Sequence, residues 1–412
     1  MHKKVFQVAL LLILQVALGL SVLVGPAMAL TEEQQLLSEA WRIVNRSYVD
    51  DTFNHRNWWN IREEALKHPL NNREATYTAI QEMLANLDDP FTRLLKPEQY
   101  RSLQVNTSGE LTGVGLQIAI DPQTGELTVV APLAGSPADQ AGIRPRDRII
   151  KIDGTLTTAL TLDEAAARMR GQAGTPVTLT LMREGSSDPE EIELLRGRIA
   201  LNPVYAELRS APENLPIGYI RLSQFSANAA SEIARAIESL ERQGAVAYVL
   251  DLRNNPGGLL QAGIEVARLW LDAGTIVYTV NRQGILGSFE ASGDALTHAP
   301  LVLLVNQGTA SASEILAGAL QDNGRAKLVG EKTFGKGLIQ SLFDLSDGSG
   351  LAVTVAKYET PKHTDINKLG IVPDQVVPLE AIKREQVATE ADRQYQAALE
   401  LLTSQAVMAD AA

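Results

Sequence analysis

The sequence predicts a multidomain α/β protein, because the spacing of its apolar residues changes twice along the 412-residue chain. The spacing is helical from residue 31 to about 100, and short alternating strands with glycine turns follow from 111 to 198. From residue 199 onward strands alternate with helices, as in an α/β core, and a chain of this length exceeds a single core. We therefore predict a helical N-terminal domain (30–110), a strand-rich module (111–198), an α/β core (199–380) and a C-terminal helix and tail (381–412).

Composition and charge exclude several classes of function. The chain is 45% hydrophobic and 21% charged, which is ordinary for a globular protein. Its formal net charge of -12 and its lack of basic blocks argue against a nucleic-acid partner. Without cysteine it can have no disulfide, thiolate metal site or cysteine nucleophile. No metal or organic cofactor is implied.

The N-terminus has the pattern of a secretory signal peptide. Lys3 and Lys4 precede an apolar run up to Val24, and Ala27-Met-Ala29 has the small-x-small form of a signal-peptidase site. We predict cleavage after Ala29, so that residues 1–29 are a signal peptide and the protein is exported. The alternative is an uncleaved membrane anchor, because about 20 apolar residues can span a bilayer.

Helical spacing supports both the N-terminal domain and the C-terminal tail. Apolar groups at this spacing in the N-terminal domain are Leu36, Leu37, Ala40, Ile43 and Val44, then Ile61, Ala65 and Leu66, then Ile80, Met83 and Leu84. The tail repeats the spacing with Ala388, Tyr395, Ala398, Leu399 and Leu402, and we expect it to pack on the core. Trp58 and Trp59 are interpreted as packing residues.

The strand-rich module begins with a glycine loop, Thr112-Gly-Val-Gly-Leu-Gln117. Glycines let successive backbone N–H groups converge on a carboxylate, and a strand from Leu116 to Ile120 could accept a peptide by edge pairing. A helix from Leu162 to Met169, begun by Thr161 with Glu164 three residues later, would form one wall of the groove. The alternative reading of the glycines alone is a tight turn.

The order of these segments resembles a PDZ domain. Ser136-Pro-Ala-Asp-Gln-Ala-Gly142 and the strand-like Arg146-Asp-Arg-Ile-Ile150 also match its pattern. The resemblance implies that the module captures the C-terminus of a peptide. The candidate peptide-binding residues are Gly113, Val114, Gly115, Leu116, Gln117 and Ile118.

The predicted core opens with a strand (Ile217–Leu222), a helix (Ala229–Gln243) and a second, buried strand (Val246–Leu252). Asp251-Leu-Arg-Asn-Asn-Pro-Gly-Gly258 ends that strand and precedes another helix. Its glycines permit a nest of backbone N–H groups, although a purely structural left-handed turn would have the same sequence.

Ser311 is the candidate nucleophile. The apolar run Leu301–Val305 predicts a buried strand, and a helical pattern starts at Ser313, so Ser311 falls on a strand-to-helix turn. Unpaired N–H groups and the positive end of the helix dipole can stabilise an oxyanion there. The alternative is a simple cap, because Ser311-Ala-Ser-Glu314 also matches a capping box. Ser313 is the rival serine.

Lys336 is the candidate base. Of the five histidines, only His298 and His363 could come near the predicted strand, and neither sits in a motif. Lys336 lies between two glycines, with Phe334, Leu338 and Ile339 available to desolvate its amine and so lower its pKa. The alternative is a solvated loop lysine.

The motifs Thr309-Ala-Ser-Ala-Ser-Glu-Ile315, Asp322-Asn-Gly-Arg-Ala326 and Thr333-Phe-Gly-Lys-Gly-Leu-Ile-Gln340 closely resemble the carboxyl-terminal processing proteases, also called tail-specific proteases. This resemblance covers nearly all of the chain after residue 30 and implies an α/β serine-protease core with a Ser311–Lys336 dyad. It further implies that Gln340 orients the lysine amine. One oxyanion donor would be Gly257 or Gly258, and the other the N–H of Ala312.

The resemblance implies an exported serine endopeptidase that binds a protein's free C-terminus through its PDZ domain and cleaves upstream. Within this family, Arg253-Asn-Asn-Pro-Gly-Gly258 and the helical N-terminal region most resemble the cyanobacterial and chloroplast enzymes that trim the photosystem II reaction-centre precursor, which implies the thylakoid lumen. One alternative is a general periplasmic tail-specific protease, and another is a non-catalytic PDZ scaffold or chaperone. The expected partners are C-terminal tails of substrates, with membrane contact only through the signal segment or membrane-protein substrates.

Overall fold

The computed structural model describes residues 30–121, 124–183, 186, 188–211, 214–378 and 383–410. The predicted signal peptide lies outside these residues. The described chain divides into two compact units, one formed by the residues up to Pro97 together with Ser341–Val353, the other by Glu98–Gln340 together with the residues from Thr354 onward. No helix in the described part of the chain is long and apolar enough to cross a membrane.

The described part of the first unit contains three helices before residue 90, as the apolar spacing predicts. They are α1 (Glu32–Ser47), α2 (Trp58–Lys67) and α3 (Arg73–Ala85), and each begins at a side-chain cap. Trp41 and Trp58 each donate their indole N–H to the other's main-chain carbonyl, which ties α1 to α2. Trp59, by contrast, is 59% exposed, so only its contact with the Trp41 ring supports a packing role. Strand β1 (Arg93–Leu95) pairs antiparallel with Gly350–Ala352.

The second unit begins with α4 (Pro97–Ser108) and then the strand-rich module. Its elements are β2 (Glu110–Gly113), β3 (Leu116–Ile120), β4 (Leu127–Pro132), α5 (Pro137–Gln140), β5 (Arg148–Ile152), β6 (Thr155–Leu156), α6 (Leu162–Met169), β7 (Pro176–Met182), β8 (Glu190–Leu195) and β9 (Gly197–Ala200). The main sheet has the order β3-β4-β5-β7-β8, which leaves β3 at an edge. β2 pairs with β9 and closes the module.

The α/β core is built on a second sheet of the order β10-β11-β12-β15-β16-β19. The strands are β10 (Val204–Ser210), β11 (Pro216–Leu222), β12 (Ala247–Asp251), β15 (Leu301–Val305), β16 (Lys327–Gly330) and β19 (Gln375–Val376). All neighbours except the β10–β11 pair run parallel. Because parallel sheets are covered on both faces, their strands are buried and mostly apolar, as β15 is throughout and β12 is up to Asp251.

Helices cover both faces of this sheet. On one face lie α7 (Ala229–Arg242), α8 (Leu260–Arg268) and α9 (Ala312–Asp322), packed against Leu301, Leu303 and Val305 of β15. On the other face α10 (Arg393–Asp410) packs against Val302 and Leu304. The tail helix thus packs on the core as expected, but it begins at Arg393, after Ala388 has adopted a positive φ of 56°.

A smaller sheet holds the strands that follow the predicted lysine. The hairpin β13 (Thr275–Asn281) and β14 (Gly284–Glu290) pairs with the last residues of β18 (Gly350–Glu359), and β17 (Leu338–Asp344) also pairs with β18. Tyr358 on β18 lies opposite Thr279 and is buried in the same apolar core as α9.

Candidate active site

The candidate site lies where the parallel strands β12 and β15 end. Val249 pairs with Val302 in this parallel pair, so the turns that follow Asp251 and Val305 lie at the same edge of the sheet. In open α/β sheets this carboxyl edge is where ligands bind. The geometry therefore brings the Asp251–Gly258 turn next to the turn that carries Ser311.

Ser311 stands at the N-terminus of α9 in a strained conformation. Its φ of 59° and ψ of -119° are unusual for a residue with a side chain. Ser311 is half-buried, whereas Ser313 is fully buried and its hydroxyl donates to the carbonyl of Asn255 at 3.0 Å. Ser313 is thus buried and hydrogen-bonded in the core, which favours Ser311 as the candidate nucleophile.

Glu314 connects the serine turn to the lysine loop. Its fully buried carboxylate accepts the Ser311 N–H at 2.9 Å and the Lys336 N–H at 2.8 Å through the same oxygen. The other oxygen accepts the Thr333 hydroxyl at 2.6 Å and the Gly335 N–H at 2.7 Å. Glu314 therefore does more than cap a helix, because it fixes the backbones of both predicted dyad residues around one atom.

The lysine loop is shaped by close backbone approach. A Cβ at Gly335 would lie 2.9 Å from the amide nitrogen of Gly370, and one at Gly337 would lie 2.6 Å from that of Asn367. Lys336 is half-buried, but Phe334 is 58% exposed, so less apolar cover surrounds this loop than the sequence suggested. The two glycines let the chain pass where side chains would collide.

Gln340 lies on β17, on the strand that follows Lys336. Its side-chain amide donates to the Thr354 hydroxyl on β18 at 3.4 Å, and the side chain is half-buried. This contact fixes Gln340 against the neighbouring strand. Its predicted role in orienting the lysine amine stays a prediction.

The glycine turn lies directly against the serine. A Cβ built on Gly257 would lie 2.8 Å from Ser311 Cβ and 2.9 Å from the Ala312 nitrogen. The N–H of Gly257 donates to Asn255 Oδ1 at 2.9 Å, which favours Gly258 over Gly257 as the oxyanion donor. Ala312 is the first residue of α9, where backbone N–H groups have no partner within the helix.

Asparagine side chains lock the two turns together. Asn306 Oδ1 accepts the Asn254 N–H at 2.9 Å, and its amide donates to Asn254 Oδ1 at 3.0 Å. The N–H of Ala310, next to the serine, donates to the Asn255 carbonyl at 3.0 Å. These bonds fix the turn that carries Ser311 against the glycine turn.

A buried ion-pair network, which the sequence did not predict, holds the start of the glycine turn. The Arg253 guanidinium contacts the carboxylates of Asp251 at 2.7 Å and Asp392 at 2.8 Å, and all three side chains are buried. Burial acts to raise the pKa of Asp392, but hydrogen bonds from Arg253 and its charge outweigh this and lower the pKa. The chain segment before α10 thus anchors the Asp251–Gly258 turn.

Tyr358 is a contact of the lysine loop that sequence reasoning missed. Its hydroxyl donates to the Lys336 carbonyl. Burial and then the charge of Glu314 raise the pKa of this phenol well above its ordinary value. No pattern around Tyr358 signals this role, because a tyrosine in an apolar strand reads simply as core.

The two histidines weighed as alternatives are engaged elsewhere. His298 contacts Asp272, and His363 lies 2.9 Å from Glu359 while it stacks on the Tyr278 ring. Both are exposed. Within the described residues no group of three His, Asp or Glu side chains is placed to hold a metal ion.

The predicted peptide groove has the expected elements. β3 pairs with β4 on one side, and no other described strand pairs with its second edge. Leu116 and Ile118 are partly buried against the module core, while Gln117 between them is exposed. α6 begins at Thr161 with a capping box to Glu164, at the predicted residues.

Hydrogen bonds to its main-chain carbonyls hold the glycine loop before β3 in place. The Val114 carbonyl accepts the Ala138 N–H at 2.9 Å, and the Gly115 carbonyl accepts the Leu133 N–H at 2.8 Å. The side chain of Val114 is buried, so only its backbone is available to a peptide. Gly115 has a φ of 79°, and a Cβ there would lie 2.3 Å from Ser136 Cβ. Gly113 is buried at the end of β2.

Comparison with known proteins identifies the class. The model of peptidase family S41 matches residues 216–377, and a PDZ domain model matches residues 128–183. The chain is 65% identical over 377 residues to a carboxyl-terminal-processing protease of Synechocystis, which covers 92% of this chain and 88% of that protein. It is 50% identical over 366 residues to the chloroplastic carboxyl-terminal-processing peptidase 2 of Arabidopsis thaliana, covering 86% and 70% of the two chains.

A solved structure, that of a photosystem II D1 C-terminal processing protease, matches with a TM-score of 0.57 at 42% identity over 88% of this chain and 99% of that chain. Fold and sequence together define a serine peptidase that carries a PDZ domain. The chain belongs to peptidase family S41, within which it is a C-terminal processing protease. The predicted fold class, family and enzyme class are thereby confirmed, whereas the domain boundaries and the roles of individual residues stay predictions.

Proposed function

We propose that the protein cleaves C-terminal segments from proteins with Ser311 as nucleophile and Lys336 as general base. The observation that carries this proposal is the single Glu314 oxygen that accepts both the Ser311 and the Lys336 N–H. One atom thus fixes the two backbones at a separation no larger than the sum of two hydrogen bonds. No comparable bond brings either exposed histidine to Ser311 among the described residues.

In this proposal the neutral amine of Lys336 takes the proton of Ser311 as its oxygen attacks the scissile carbonyl. The N–H groups of Ala312 and Gly258 then stabilise the oxyanion of the tetrahedral intermediate. As the intermediate collapses, the Lys336 ammonium returns the proton to the departing amine of the C-terminal fragment. Water hydrolyses the remaining ester with Lys336 again as base.

The PDZ module supplies the substrate. Its open β3 edge would pair with an extended tail, while N–H groups of the loop from Gly113 to Leu116 bind the terminal carboxylate. A similar solved protein is named as a photosystem II D1 processing protease. We infer the same precursor as substrate here, with export by residues 1–29 to the thylakoid lumen or periplasm. A general tail-specific protease remains the second candidate.

The test uses the protein without residues 1–29 and two synthetic peptides, one with the C-terminus of the D1 precursor and one with an unrelated C-terminus. Mass spectrometry gives the cleavage site and rate. Ser311→Ala and Lys336→Ala should each lower kcat by about three orders of magnitude or more, and the double variant should be no slower than either. Lys332→Ala is the matched control, because Lys332 is an exposed lysine of the same loop.

Each outcome decides between the candidates. Selective cleavage of the D1 peptide supports the processing protease, and equal cleavage of both supports the general protease. If the wild type binds the peptides but cleaves neither, the result supports the non-catalytic PDZ scaffold. Wild-type rates in folded Ser311→Ala or Lys336→Ala would reject the dyad.

A further inference from the structure

Tyr358 is a buried tyrosine whose hydroxyl contacts the loop of the proposed base. It lies on β18, is 1% exposed, and its hydroxyl donates to the Lys336 carbonyl. Its own backbone N–H donates to the Gly337 carbonyl at 3.1 Å, so the strand is fixed to the same loop. Tyr358 therefore holds the lysine loop at its carbonyl groups, whereas Glu314 holds it at the Gly335 and Lys336 N–H groups.

The direction of this bond follows from the chemistry of its two groups. The phenol has a single proton, and Tyr358 gives it to the Lys336 carbonyl, which can only accept.

We propose that Tyr358 is a positioning residue of the peptidase, whose hydroxyl holds the Lys336 main chain in place for its role as base. The proposal rests on the dyad described above and adds to it. Glu314 holds the N–H groups of both dyad residues, and Tyr358 holds the lysine carbonyl. Lys336 is thereby bound at both of its main-chain polar groups.

Tyr358 does not act as the base itself. A buried phenol next to the Glu314 carboxylate keeps its proton, and that proton is already committed to a carbonyl. Its effect must therefore be on geometry. A misplacement of about 1 Å can lower a rate by roughly 100-fold. Loss of the bond from Tyr358 to the Lys336 carbonyl should therefore lower the cleavage rate measurably.

The test is Tyr358→Phe, which removes only the hydroxyl. We expect kcat to fall about 10- to 100-fold while KM for the cleaved peptide stays within about twofold, because the buried ring does not meet substrate. Labelling of Ser311 by a fluorophosphonate should slow by a similar factor. Rates are expressed per site titrated at the end of labelling, so a partly unfolded sample does not obscure the result.

Tyr248→Phe is the matched control. Tyr248 is fully buried in the same core, and its hydroxyl has no hydrogen-bond partner among the described residues. This variant should keep wild-type kcat. A kcat within twofold of wild type for Tyr358→Phe, or an equal loss in both variants, would overturn the proposal. Failure of the dyad itself would show differently, as cleavage and labelling that persist in Ser311→Ala.

Discussion

Glu314→Gln should separate the joint positioning of Ser311 and Lys336 from ordinary helix capping. The wild-type carboxylate accepts four hydrogen bonds, two at each oxygen, and Glu314 is fully buried. Glutamine keeps the size of the side chain but has one accepting oxygen. Its NH2 group must therefore face two of the four donors.

Either orientation of the new amide harms the lysine loop. If the NH2 group replaces the first oxygen, the N–H groups of Ser311 and Lys336 lose their acceptor. If it replaces the second, the Gly335 N–H and the Thr333 hydroxyl lose their acceptor. The Thr333 oxygen already accepts the Ile371 N–H at 2.7 Å, so it is not a free partner for the new NH2 group. Each buried donor left unpaired costs about 1–3 kcal/mol, and the remaining bonds lose their charge, so we expect about 2–4 kcal/mol of destabilisation.

The loss of catalysis is expected in a variant that is still folded. A domain's stability of about 5–15 kcal/mol leaves the variant folded. Displacement of the lysine loop should nevertheless lower kcat about 100-fold with little change in KM, since Glu314 touches no solvent. Urea unfolding followed by circular dichroism gives the first quantity, and peptide cleavage at saturating substrate gives the second.

The chain contains its own control. Glu164 occupies the same position in the Thr161 capping box of α6, but it is exposed, and among the described residues its carboxylate accepts only from Thr161. Glutamine also serves at this position of a capping box, so Glu164→Gln should change stability by less than about 0.5 kcal/mol. A wild-type kcat in Glu314→Gln would refute the positioning role. Equal destabilisation by Glu314→Gln and Glu164→Gln would show that Glu314 acts only as a helix cap.

Three further outcomes are expected. Amidating the C-terminus of a peptide should weaken its binding in a fluorescence titration, because the loop at Gly115 loses the carboxylate; equal affinities would argue against terminal capture. kcat/KM should rise with pH along a limb that disappears in Lys336→Ala, whereas His298→Gln and His363→Gln should stay active, and inactivation by either with the fold intact would restore a histidine base. Asp392→Asn should lower the unfolding free energy by about 3 kcal/mol at pH 7. Because the pKa of Asp392 is lowered in the folded state, its contribution is present above the unfolded pKa of about 3.9 and is lost as pH falls through the folded value. The two unfolding curves should therefore converge in acid, and a difference that persists there would contradict the ion-pair explanation.

The sequence predicts the parts of this fold that follow from periodicity. The strand Leu301–Val305 and the helix Leu162–Met169 have the expected bounds, because apolar spacing and caps are local signals. The position of Ser311 between strand and helix follows from the same signals. Glu314 was visible only as a cap, since its bonds to Gly335 and Lys336 join residues more than twenty positions apart.

The remaining parts depend on long-range pairing that no local pattern encodes. Arg253 and Asp392 are separated by 139 residues, yet they form a buried pair below the glycine turn. An arginine directly after the end of a buried strand, as Arg253 is after β12, is a signal that something buried must neutralise it, because an unpaired buried charge is prohibitively costly. That signal requires a partner but does not say which carboxylate provides it.

The same reasoning explains why the dyad needs its surroundings. Ser311 holds a strained φ of 59°, and such strain persists only where neighbouring bonds over-determine the conformation. Those bonds come from two separate chain segments: Glu314 one turn into α9, and Asn255 through Ala310. Because each segment is also fixed to the sheet or to the lysine loop, the strained serine and its base are positioned by the core as a whole. The catalytic geometry is therefore sensitive to core residues that never meet substrate.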